Sequence, residues 1–148
     1  MKQRFSTLDV RASCAELKSK LVGMRLQNCY DINPRTYLFK FSKPDAKELV
    51  LIESGIRMHT TDSAREKNIM PSSFSAKLRK HLKSKRLTNV QQLGWDRIAD
   101  FVFGEGEFAF HVIVEFCKFI IIIIIIILNE GCKPNLNGNI HSHHFRSY

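Results

Sequence analysis

Thr36-Tyr37-Leu38-Phe39-Lys40-Phe41-Ser42 is the stretch that decides the fold. Its aromatic residues suit a pleated, half-buried surface, so the run predicts a strand. Turn chemistry brackets it, with Asn33-Pro34-Arg35 before and Lys43-Pro44-Asp45 after. Working outward, Met24 to Ile32 alternates apolar and polar residues and predicts a strand on one side. Glu48 to Glu53 predicts a more buried strand on the other. Ser54-Gly55 then makes a tight turn into Ile56-Arg57-Met58-His59-Thr60, a fourth strand with its own alternation. Strands joined by turns this short predict an antiparallel meander.

Upstream of the meander, Thr7 to Val22 predicts an amphipathic helix. Ser6 or Thr7 can cap it, and Asp9 falls in the first turn, where negative charge meets the positive helix end. Leu8, Ala12, Ala15 and Leu21, with Leu17 beside them, are the expected buried face, and Gly23 is the expected stop. Taken on residue pattern, Asp9 is a capping or first-turn acid.

Downstream, Thr61 to Met70 is polar and reads as a loop. Pro71 follows, with Ser72 or Ser73 as the expected N-cap of a second helix. Phe74, Leu78 and Leu82 recur at helical spacing and are expected to dock it on the sheet. Lys77, Arg79, Lys80, Lys83 and Lys85 then point away from the core or to its margins, and Arg86 closes the run. Past Arg86 the period becomes two. Leu87 to Leu93 predicts a strand, and Gly94-Trp95-Asp96-Arg97 turns into another over Ile98 to Phe103. Gly104 to Glu107 turns again, and Phe108 to Phe116 is a further apolar strand. The expected class is α+β: a domain rich in sheet or sandwich, with one helix at the start and one basic helix between two strand sets.

With 148 residues and 44% hydrophobic content, the chain can bury a real core and is not globally disordered. Its formal charge is +9, and Arg65 to Arg86 holds eight Lys or Arg against one acid, Glu66. A helix that is merely solvated usually interleaves both signs, because opposite charges one turn apart support it. This concentration points to a polyanion, with RNA, DNA and an anionic membrane all open on charge alone. Cys14, Cys29, Cys117 and Cys132 include no C-x-x-C pair, so a zinc or redox motif is not supported. Cys14 and Cys29 fall in apolar-patterned elements and are expected to be buried and reduced. No apolar run follows the first residues, so no secretory signal is expected.

The composition breaks near residue 117. Eight isoleucines, Ile120 to Ile127, precede Leu128. The run is too short for a bilayer span, which needs about twenty apolar residues. Homopolymeric isoleucine favours β-structure and is an aggregation hazard when exposed. The tail carries His141, His143 and His144, which lack the spacing and partners of a metal site. Two segments are therefore expected: 1–116 as a partial domain, and 117–148 as an atypical tail outside it, the altered end of a longer product.

Several ordered stretches resemble the start of the NFACT family: Met1 to Asp9, Leu21 to Arg25, Asn28 to Asp31, Glu53 to Thr61, Met70 to Phe74, Leu78 to Lys83, Gln92 to Ile98 and Asp100 to Gly104. The resemblance covers the first 116 residues. It implies a fold like the N-terminal domain of formamidopyrimidine-type DNA glycosylases. It also implies membership of a ribosome-associated quality-control factor. Such factors bind large ribosomal subunits obstructed by peptidyl-tRNA, recruit charged tRNA for template-free C-terminal tailing, and help recruit the listerin ubiquitin ligase. Residues implicated in tRNA recruitment match Asp9, Asp96 and Arg97. By pattern alone Asp96-Arg97 is a turn or strand-edge ion pair, worth little if exposed.

The expectation is thus a non-enzymatic module that binds tRNA and the large subunit, without cofactor or membrane. Its place is cytoplasmic, with the nucleus as a second location. Contacts to listerin are expected to be lost with the family's later modules. Two alternatives stand beside it. One is a DNA glycosylase or lyase using Lys2, although the glycosylases carry a proline there. The other is a truncated form without function.

Overall fold

The computed structural model describes residues 4–63, 66–68 and 70–116, together with the backbone of 124–127. Helix α1 (Thr7–Leu21) leads into strands β1 (Arg25–Asn33), β2 (Thr36–Lys43), β3 (Ala46–Glu53) and β4 (Arg57–Thr61). Helix α2 (Ser73–Leu82) separates these from β5 (Leu87–Gln92), β6 (Ile98–Phe103), β7 (Phe110–Glu115) and β8 (Ile124–Ile127). Each set of four strands forms one sheet in sequence order, and every pairing is antiparallel. The expected α+β class and the meander are both present. A short 3-10 turn, Gly106–Phe108, replaces the expected start of β7.

The two sheets share one core. Phe39, Phe41 and Val50 of the first sheet cluster with Phe101, Phe103 and Val112 of the second. The Phe41 and Phe103 rings lie parallel, with centroids 6.2 Å apart. The sheets are joined at a seam rather than by a shared strand. Gly23 N donates to Leu87 O, Leu87 N to Met24 O, Leu26 N to Lys85 O and Ser84 N to Leu26 O. Gly23 can make the turn from α1 into this seam because its φ is +94°, a left-handed conformation that side chains oppose.

Helix α1 packs chiefly against β5, and its buried face differs from the expected one. Val10, Cys14, Leu17 and Leu21 are buried, whereas Leu8 is exposed and Ala12 and Ala15 face solvent. Val10 and Cys14 complete the one-turn spacing that ends in Leu17 and Leu21. The alanines offer too little apolar area to compete for the core. Cys14 and Cys29 are buried free thiols, as expected. Burial pushes Cys14 up to about 11 and Cys29 up to about 12, so both stay protonated. Among the described residues no helix is long and apolar enough to cross a membrane. Lys2, Arg65, Cys117, Cys132, Ile120 to Ile123 and the tail histidines lie outside the described residues.

Candidate nucleic-acid interface

Asp9 sits in a capping box. The Ser6 amide and hydroxyl donate to its Oδ2 at 2.8 and 2.9 Å, and the Asp9 amide returns a bond to Ser6 Oγ at 3.2 Å. These donations, the backbone one foremost, hold the exposed carboxyl below the usual carboxylate range. The pattern-based reading of Asp9 as a capping acid is therefore its structural role.

The fold brings the turn between β5 and β6 to this same helix end. Arg97 Nη1 donates to Phe5 O at 3.3 Å, and the Arg97 carbonyl accepts from Phe116 N at 2.8 Å. The Phe5 and Phe116 rings meet at 5.0 Å between centroids. Gln92 Nε2 bridges the two segments, donating to Thr7 O at 3.1 Å and to Asp96 O at 2.9 Å. Asp9, Asp96 and Arg97 thus come to one corner from opposite ends of the described chain. The expected ion pair is not there: among the described residues, Asp96 and Arg97 form no salt bridge with each other or with Asp9. The Asp96 side chain is exposed and Arg97 is half-buried.

The basic stretch is organised differently. Ser72 is the N-cap of α2, and Asp31 of β1 accepts from its amide and its hydroxyl, both at 2.8 Å. No acid lies in the first turn of α2, so Asp31 supplies the negative charge at that helix end. Leu78 and Leu82 are fully buried and Phe74 is half-buried against the core, as the spacing predicted.

The cations point away from the core or to its margins, as expected: Lys83, Lys85 and Arg86 are exposed. Lys77 and Lys80 are exposed on α2. Arg79 is half-buried: its Nε donates to Cys29 O at 2.8 Å, and its guanidinium lies 5.5 Å from the Tyr30 ring centroid. It fastens α2 to β1. Lys83, Lys85 and Arg86 lie beyond the helix, which ends at Leu82 because Ser84 takes φ +69°. Lys85 Nζ sits 5.5 Å from the Phe110 ring centroid, and Arg86 pairs with Arg25 across the seam.

Charge counting missed two polar features of the sheets. Arg25 adds a cation at the end of α2, where its Nη1 donates to Ser84 O at 2.8 Å. Asp100 is buried at 3% exposure, with His111 Nδ1 3.0 Å from Oδ2 and Gln91 Nε2 donating at 3.2 Å. Strand alternation gave no signal for a buried acid. Among the described residues, no group of three or more potential ligands could hold a metal ion.

Residues 6–118 match the family model of NFACT N-terminal and middle domains. Human ribosome quality control complex subunit NEMF is 57% identical over 115 residues, which is 78% of this chain and 11% of that protein. Ribosome quality control complex subunit 2 of Saccharomyces cerevisiae is 44% identical over 118 residues, with the same shares of 78% and 11%. The N-terminal domain of the fibronectin-binding protein PavA from Streptococcus pneumoniae matches with a TM-score of 0.73 at 21% identity. That likeness covers 82% of this chain and 51% of that domain's chain, and it speaks for the fold.

Proposed function

The chain belongs to the family of NFACT N-terminal and middle domains, and from that premise we propose that it is an RNA-binding module of a ribosome-associated quality-control factor. The observation that carries this reading is the 57% identity to human NEMF over 115 residues. Because the chain spans only 11% of that relative, every activity assigned to the whole factor is part of the proposal.

In this reading Asp9, Asp96 and Arg97 position tRNA on an obstructed large subunit. Lys77, Lys80, Lys83, Lys85 and Arg86 meet phosphates as point charges and forks. Arg79 contributes by holding α2 in place. The module does no chemistry of its own; the expected likeness to formamidopyrimidine-type glycosylases gives way to the likeness to the N-terminal domain of PavA. The whole factor recognises peptidyl-tRNA on the obstructed subunit, supports C-terminal tailing, and promotes ubiquitination through listerin. Its work is cytoplasmic, with passage through the nucleus. The gathering of Asp9, Asp96 and Arg97 at one corner supports a common role for them.

The test is sedimentation of the full chain with isolated large ribosomal subunits. The chain is expected to pellet with the subunits at low salt and to leave them steeply as salt rises, because phosphate contacts release counterions. A chain that stays in the supernatant at low salt overturns the proposal.

A further inference from the structure

Trp95 is the single tryptophan of the chain, and it stands 73% exposed in the turn between β5 and β6. Large aromatics stabilise a fold by burial, so packing does not explain this position. The turn that presents it is fastened on both sides. Gly94 takes φ +60°, and Asp96 N donates to Leu93 O at 3.3 Å. Gln92 and Arg97 tie the flanking residues to Thr7 and Phe5. The Arg11 guanidinium of α1 lies 5.5 Å from the Trp95 ring centroid, a cation over a π-face.

Charge at this corner selects the part of a nucleic acid that can approach. Among the described residues the exposed Asp96 carboxylate next to Trp95 forms no salt bridge, and the Asp9 carboxylate caps the same helix end. Acids repel phosphates, whereas an aromatic face accepts any base, and base–aromatic stacking tolerates sequence. We propose that Trp95, backed by Arg11, is a stacking platform for an unpaired RNA base. The proposal rests on the RNA-binding reading above and names the part of the RNA that this corner takes.

Fluorescence gives a direct test, because all tryptophan emission comes from this ring. The full chain is titrated with a short unstructured RNA oligonucleotide and with a fully paired RNA duplex, while filter binding runs in parallel. The single strand is expected to quench emission along the same isotherm that filters report, and the duplex to leave emission unchanged. Trp95→Ala is expected to weaken single-strand binding about tenfold, and Trp95→Phe to restore most of it. Arg11→Gln is expected to weaken binding about threefold. Circular dichroism of each variant checks that the fold is intact. Retention of RNA on filters with unchanged emission and unchanged Trp95→Ala affinity overturns the platform and leaves the RNA-binding module standing. Equal quenching by the duplex also overturns the platform. Absence of any RNA retention overturns both.

Discussion

The corner at the start of α1 and the basic end of α2 are built in opposite ways. The corner takes residues far apart in sequence and fixes them with Gln92, Arg97 and the Phe5–Phe116 contact. The α2 region takes residues adjacent in sequence and gives them different tasks. Arg79 braces β1, Lys85 sits over Phe110, and Arg86 lies in the seam between the sheets. A run of cations is therefore not a surface until the helix end and its neighbours are known. Two short segments far apart in sequence, around Asp9 and over Trp95 to Arg97, can form a surface that no charge run announces.

This contrast can be broken at three depths. The largest effect is expected at the root of α2. Leu82 is fully buried, and Leu82→Ala is expected to cost about 2–5 kcal/mol in chemical denaturation. Leu8, exposed at 69% beside the corner, is expected to change stability by less than about 0.5 kcal/mol when cut to alanine. Equal losses at the two positions would show that α2 does not depend on its docking face.

The second depth compares the two helix starts. Asp31 is 6% exposed and accepts two bonds from Ser72, so Asp31→Ala is expected to cost about 1–3 kcal/mol. Asp9→Ala removes an exposed capping partner and is expected to cost at most about 1 kcal/mol. Urea midpoints separate the two. If Asp9→Ala lowers RNA affinity while Asp9→Asn, an isosteric acceptor, restores stability alone, the charge acts on RNA and not only on the helix.

The smallest effect concerns pH. The folded state holds Asp9 below its unfolded value, so its contribution is present above the ordinary carboxylate range. It is lost as pH falls through the lower folded value. Melting curves of the native chain and Asp9→Asn are expected to converge on acidification, with the native chain losing more. Parallel curves would remove this stabilisation.

The strands were legible because turn residues separate them: Asn33-Pro34, Lys43-Pro44 and Ser54-Gly55 each stand where a hairpin closes. The buried face of α1 departs from the apolar pattern because size decides which side chains reach the core. Val10 and Cys14 bury, and the alanines do not. The end of α2 at Leu82 carries no glycine signal, and Ser84 adopts the left-handed turn instead. Within the corner, family resemblance marks Asp9, Asp96 and Arg97, but their meeting depends on Gln92, whose bonds to Thr7 O and Asp96 O no spacing shows. The Asp100–His111 pair was hidden for a similar reason. A buried acid on a strand is defined by its cross-strand neighbours, and one-dimensional spacing does not show them.

The fastening of Arg97 to Phe5 also sets an order of events during synthesis. The first sheet needs only hairpin closures and can pair as it emerges from the ribosome. Helix α1, made earlier, has no main partner until β5 follows. Arg97 Nη1 and Phe5 O are 92 positions apart, and closing so long a loop comes after the local pairings. The corner is thus expected among the last parts of the described chain to take shape. A nascent chain shows its cations before it shows the Trp95 corner, and the proposed hold on a base would arrive only with closure of the fold.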